Sequence, residues 1–320
     1  MLGMGALHFG VYCDLELSTR IIRRGLELGL NFIDTAPMYG QGHSEAFIRE
    51  AIRGHRSEVL IATKVGLEPV TRPDGTFGVR IAALTRQWIR SSLEQSLRDL
   101  GTDYVDLYQL HAFDPNTPVE ETLQTMDALV REGKVRFIGC SNYDPTELRT
   151  ASTAAAEHGW ARLASLQSQY NLIERRAEQE LVPACRELEI GVICNRALAR
   201  GLLTGKYKPN QPLPEGSRAT MSWRVRRWLS EETLQLVADL EQFAQTCGRT
   251  TAELAIAWLL AKLGVSVVLA GVRNLEQLES CVRGTEWVLS EEELAQIEAI
   301  IERRQLVSQL ASRPETFLET

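Results

Sequence analysis

The sequence predicts an α/β protein built as a single (β/α)8 barrel, the TIM-barrel architecture, over residues 1–320. Three observations carry that prediction. Eight short β-branched or apolar runs alternate with amphipathic stretches along the chain. Several runs are almost continuously apolar, as strands covered on both faces must be. No internal repeat or low-complexity linker divides the chain. An open, doubly wound sheet shares the alternation, but strand count and length favour closure. A barrel commonly exceeds the usual domain length, so 320 residues do not force a split.

The first strand is read in "LGMGAL" near Leu2. A helix follows over Ser18 to Leu30, with Ile21, Ile22, Leu26 and Leu28 on one broad face. The second strand is "NFIDT" at Asn31 and the third "VLIATK" at Val59. Thr85 to Leu100 is helical by the same spacing, placing Trp88, Leu93, Leu97 and Leu100 together. "VDLYQLH" at Val105 is the fourth strand and "VRFIGCS" at Val135 the fifth. Thr117 and Asp144 stand before Pro118 and Pro145, the pattern of an N-cap with proline in the first turn. "SLQSQYN" at Ser165, "GVICNR" at Gly191 and "SVVLAG" at Ser266 complete the set. One Pro/Gly-rich interruption, "KYKPNQPLPEGSR" (Lys206 to Arg218), continues into "ATMSWRVRRW". It reads as a long βα loop of the kind that serves as a lid.

Composition narrows the function. The net charge of -7 argues against a nucleic-acid partner, because phosphates need clustered Lys and Arg. The densest basic cluster, "WRVRRW" (Trp223 to Trp228), reads as a loop or helix face. None of the six cysteines is arranged as C-x-x-C, so scattered reduced thiols in a cytoplasmic protein are expected and no metal site. No charged-then-apolar leader precedes the first strand. No apolar run approaches the roughly 20 residues of a membrane span. No heptad or interface run sets an oligomeric state.

In a barrel the active site lies at the C-terminal ends of the strands. The second strand ends in Asp34, with Tyr39 in its loop, the third in Lys64 and the fourth in His111. The fifth ends in Ser141 and Asn142, and the sixth carries Gln167 and Tyr170. The seventh ends in Asn195 and Arg196, and the eighth in Gly271, before Arg273 and Asn274. Asp, Tyr, Lys and His on consecutive strand ends suit proton donation by a tyrosine. A phenol is a poor acid at neutral pH, and a cation held close lowers its pKa. Lys64 can supply that charge, Asp34 can hold Lys64, and His111 can polarise a substrate oxygen. Nothing in the chain is a hydride source, so a cofactor is expected.

"FIDTAPMYGQGHSE", "IATK", "DLYQLH", "GKVRFIGCSNY", "SLQSQYNLIER", "LARGLLTGKY" and "GVRNLEQLE" span nearly the whole chain. With these motifs, in this order, the sequence resembles the aldo-keto reductases. The resemblance implies a barrel that binds NADP(H) without a Rossmann domain, and no G-x-G-x-x-G stands here between a strand and a helix. It implies a catalytic tetrad at Asp34, Tyr39, Lys64 and His111, with Tyr39 the general acid/base. It places Ser141, Asn142 and Gln167 on the nicotinamide carboxamide. Leu198, Arg200, Gly201 and Leu202 match the pyrophosphate loop. Gly271, Arg273 and Gln277 match the segment that holds the adenosine phosphate. Arg273 suits a 2′-phosphate, which favours NADPH over NADH. The substrate implied is a small aldehyde, ketone or sugar, or the corresponding alcohol.

The chain departs from that pattern in three places. Relatives usually carry a segment before the first strand, often a hairpin at the barrel bottom. Either the bottom is capped otherwise here, or the start lies upstream. Many relatives have an aromatic residue at Asn195, which stacks on the nicotinamide, and Pro at Ala197. Tyr170 is then a candidate to help with stacking. Many have Glu-Asn where Ser280 and Cys281 stand, at the adenine end. These departures motivate two other readings: an NADP(H)-binding regulatory subunit similar to potassium-channel β subunits, or a catalytically impaired pseudoenzyme. His8 and Phe9 could line the substrate pocket, as could Trp223 and Trp228. His43, His55 and His158 read as exposed.

Overall fold

The computed structural model describes residues 1–71, 77–226 and 228–304. The single domain expected over 1–320 therefore includes residues 305–320, which lie outside the described residues, as does Arg227 of the "WRVRRW" cluster.

Eight parallel strands close into a barrel, as the alternating pattern predicts. The chain runs β1 (Leu2–Gly5), α1 (Leu15–Glu27), β2 (Phe32–Asp34), α2 (Ser44–Ala51) and β3 (Leu60–Val65). A hairpin of β4 (Leu67–Thr71) and β5 (Phe77–Ile81) follows, then α3 (Arg86–Leu100), β6 (Val105–Leu110), α4 (Val119–Arg131) and β7 (Val135–Ser141). Next come α5 (Pro145–His158), β8 (Leu163–Gln169), α6 (Leu181–Glu187) and β9 (Gly191–Asn195). The long loop holds the short α7 (Arg218–Met221) and α8 (Trp223–Arg226). The chain then forms α9 (Glu231–Thr246), α10 (Thr251–Leu260), β10 (Val265–Ala270), α11 (Leu275–Thr285) and α12 (Glu291–Arg303). The barrel order is β1-β10-β9-β8-β7-β6-β3-β2, with β4 and β5 paired outside it.

Local chemistry explains most element ends. The first helix starts earlier than its periodicity suggests, because the Asp14 carboxylate caps the Leu17 N–H at 2.8 Å. Asp144 forms a full capping box with Glu147, with Pro145 in the first turn, as expected. Thr117 does not cap α4: its hydroxyl donates to Asp114 at 2.5 Å, and Pro118 occupies the cap position. The β4–β5 hairpin has no forerunner in the sequence reading, because its alternation lies inside what looks like one βα loop.

Side-chain period 2 sorts the barrel strands that carry the site. Ile33, Ile61, Tyr108, Cys140, Leu166, Val192 and Val268 face the helices and belong to the main core. Phe32, Ala62, Leu107, Ile193, Val267 and Leu269 form a separate apolar plug inside the barrel. Two residues further along the same strands stand Asp34, Lys64, Gln109 and Asn195. The plug thus forms the floor on which a polar layer rests. Cys247 is exposed and the other five cysteines are buried, all unpaired. Among the described residues no helix is long and apolar enough to cross a membrane, and no group of three or more His, Cys, Asp or Glu could hold a metal ion.

Candidate active site

The polar layer is assembled by strand register. Gly5 pairs with Asp34 and Asp34 with Ala62, while Lys64 pairs with Gln109. The ammonium of Lys64 is fully buried and donates to Asp34 Oδ1 at 2.6 Å, the Thr35 carbonyl at 2.8 Å and Tyr39 Oη at 3.3 Å. It also lies 4.7 Å from the centre of the Tyr39 ring. Its three protons thus have three acceptors, and its direction is fixed. The Asp34 and Tyr39 predicted for one site do meet, through Lys64.

A tight turn brings Tyr39 back over the strand end. Its N–H donates to the Ala36 carbonyl at 2.9 Å, and Gly40 and Gln41 follow at positive φ. A Cβ on Gly40 would stand 1.9 Å from the Phe9 carbonyl oxygen, so only glycine lets the two loops touch. Below, Ser44 bonds Thr35 at 3.0 Å and the Ala6 carbonyl at 3.1 Å, pinning the loop to the turn that follows β1.

The electrostatics modify the sequence-based expectation. Burial pushes the Tyr39 phenol above its ordinary pKa, and Lys64 pulls it down only in part. The expected net lowering is therefore absent here, because burial and the Asp34 carboxylate together outweigh the lysine. Lys64 stays charged: burial acts to lower its pKa, but Asp34 and then Tyr39 more than offset that. His111 is held well below its usual range, first by burial and then by Lys64, so its imidazole is neutral. Its ring lies edge-on to Tyr39, with centroids 6.1 Å apart.

The other rim residues divide into four groups. Ser141 and Asn142 are tied to backbone: Ser141 donates to the Gln167 carbonyl at 3.1 Å and Asn142 to the His111 carbonyl at 2.9 Å. Gln167 donates to Asp34 Oδ2 at 2.7 Å, and Asn195 donates to the Gln167 side-chain oxygen at 3.4 Å. Asn195 Oδ1 is buried with no partner. Leu198 and Leu202 pack on the core, while Ala199, Arg200 and Gly201 take successive positive φ values in the loop between them. Gln277 accepts from the Arg273 N–H at 2.9 Å, beside Gly271.

Tyr170 does not reach the site. Its ring packs on Trp258 at 5.5 Å and its hydroxyl bonds Glu178 at 2.5 Å, because it sits on the helix-facing side of its strand end. Trp223 is exposed, and Trp228 lines a small cleft with Gln169, Asn171, Glu174 and Arg200. His43, His55 and His158 are exposed, as read.

Sequence reading missed several residues. Gln109 is fully buried and donates to Asp34 Oδ2 at 3.1 Å. Its signal was parity: it stands two residues beyond Leu107 of the plug. Lys206 and Arg218, at the two ends of the long loop, act with Arg273 on buried His8. Burial first, then Arg218, Arg273 and Lys206 in turn, push the His8 pKa down to about 3. Burial, then Arg273 and Arg218, lower the pKa of Lys206. Among the described residues none of the three cations forms an ion pair with a carboxylate, and Arg273 instead lies 3.7 Å over the Tyr12 ring. The three cations make this part of the rim electropositive.

The aldo/keto reductase family model matches residues 1–302. The chain belongs to the aldo/keto reductase family. This family member is 36% identical over 310 residues to the uncharacterized oxidoreductase YrpG of Bacillus subtilis, covering 93% of this chain and 90% of that protein. It is 34% identical over 312 residues to the L-glyceraldehyde 3-phosphate reductase of Escherichia coli K12, covering 93% and 87%. The glycerol dehydrogenase AKR11B4 of Gluconobacter oxydans superposes with a TM-score of 0.83 at 29% identity, covering 95% of this chain and 91% of that one. The family-level expectation of an oxidoreductase barrel therefore holds.

Proposed function

We propose that this family member is an enzyme that reduces an aldehyde, ketone or sugar carbonyl with NADP(H), or runs the reverse oxidation, with Tyr39 as general acid/base. The carrying observation is the buried Lys64 ammonium, held between Asp34 and Tyr39 Oη at 2.6 and 3.3 Å, with neutral His111 beside the phenol. The Tyr39 hydroxyl gives its proton to the carbonyl oxygen while carbon accepts the hydride. Lys64 stabilises the phenolate left behind, and Asp34 keeps Lys64 charged and aimed. Neutral His111 keeps one ring N–H to donate to the same oxygen without competing for the proton.

A bound nicotinamide supplies the hydride. The residues present fit the cofactor. Lys206, Arg218 and Arg273 act together on His8, and among the described residues none of them pairs with a carboxylate, which suits phosphates. The unpartnered Asn195 Oδ1 suits a group that brings an N–H, such as a carboxamide. On this reading Asn195 exchanges aromatic stacking for a hydrogen bond. Ser141, Asn142 and Gln167 hold the same end, and Leu198, Arg200, Gly201 and Leu202 the pyrophosphate. Gly271, Arg273 and Gln277 hold the adenosine phosphate.

The test is a fluorescence titration with NADPH and NADH in parallel, followed by a panel of small aldehydes, ketones and sugars. Tight, NADPH-selective binding and turnover of at least one carbonyl are expected. Binding without any turnover refutes the enzyme reading and leaves the regulatory one. No binding of either cofactor refutes both.

A further inference from the structure

We propose that Gln109 is a positioning residue of this site, acting through Asp34 on the Lys64–Tyr39 pair. The inference rests on the reductase reading above. The Asp34 carboxylate is buried and receives three donors: Lys64 on Oδ1 at 2.6 Å, and Gln167 at 2.7 Å and Gln109 at 3.1 Å on Oδ2. Lys64 pulls on one oxygen, while the two amides hold the other and fix the carboxylate plane. Gln109 also accepts from Gln167 at 3.5 Å, so both protons of the Gln167 amide are engaged within this layer. Any demand on the Gln167 amide from a bound ligand leaves Gln109 as the remaining anchor of Asp34 Oδ2. Gln109 is paired in register with Lys64, so the anchor and the cation move as one piece of sheet. An apolar residue would fill this position equally well if packing were its task, since Leu107 below it is part of the apolar plug. A buried amide costs stability unless both its ends are bonded, and here both are.

The test uses the full chain, comparing wild type with Gln109→Leu and Gln109→Glu, each alone and with Asp34→Asn. Gln109→Leu should lower kcat roughly ten- to hundredfold, the span of one hydrogen bond to a charged group, with KM and NADPH affinity little changed. Gln109→Glu restores a donor only while its carboxyl is protonated. It should track wild type at low pH and lose activity as that carboxyl ionises beside Asp34, an inflection wild type lacks. Without any turnover, the stability of Gln109→Glu relative to wild type should fall with rising pH, and Asp34→Asn should make that fall smaller, leaving only the part due to burial. Additive effects of Gln109→Leu and Asp34→Asn, or a Gln109→Glu profile parallel to wild type, overturn the inference. If Gln109→Leu does not fold, the Gln109→Glu comparison decides. A wild type that binds NADPH and reduces no carbonyl overturns the reading beneath it instead.

Discussion

Glu45 offers a quantitative test that needs no substrate. It stands on α2, is 2% exposed, and accepts from Thr63 at 2.7 Å directly behind Lys64 on β3. Burial, opposed in part by the Thr63 hydroxyl, raises its carboxyl from 4.5 to about 7. The folded state therefore binds this proton more tightly than the unfolded chain does. The stability it contributes is fully present below the unfolded value of 4.5 and is lost as pH rises through about 7. A displacement of that size corresponds to about 3 kcal/mol of folding free energy. Glu45→Gln keeps the shape and the oxygen that accepts from Thr63, and removes the titration. Urea unfolding of both proteins should give stabilities that diverge between about pH 5 and about pH 8, the variant gaining by about 3 kcal/mol at the alkaline end. Taking the difference cancels the buried histidines, which titrate in both. Stabilities that run parallel across that range would refute the argument, and would mean that the carboxylate is solvated or paired when charged.

Three further outcomes follow from the site. Tyr39→Phe should cut turnover roughly a hundred- to ten-thousandfold and leave NADPH affinity unchanged, since the phenol acts on substrate oxygen; a variant with most of its activity shows that the acid is misassigned. Arg273→Ala should shrink the preference for NADPH over NADH roughly ten- to hundredfold in parallel titrations. An unchanged ratio there moves the 2′-phosphate to Lys206 or Arg218. Gly40→Ala, with its Cβ 1.9 Å from the Phe9 carbonyl oxygen at φ +61, should lower thermal stability by about 2 to 4 kcal/mol and reduce kcat with it; retention of both means that the Phe9 loop yields freely.

The sequence by itself determined the barrel, because the information needed was local. Most barrel strands stand out as β-branched or apolar runs, and from the second strand onward the strand ends carry polar residues, so Asp34, Tyr39, Lys64 and His111 can be read before any contact is known. The Asp144 cap was equally legible, since its partner Glu147 stands three residues away. Only the tertiary structure decided what depends on residues distant in the chain. Whether Gln109 joins the site depends on which side of β6 faces the barrel axis, and that follows from closure of all eight strands. Thr117 reads as a cap, but Asp114 takes its hydroxyl. Tyr170 lies close to Gln167 in sequence, yet Trp258 and Glu178 hold it on the other face. The net rise of the Tyr39 pKa is likewise tertiary: the sequence names the cation beside the phenol, but only the packed barrel sets how much water is removed from both. Charge type is written residue by residue, whereas desolvation belongs to the assembled fold.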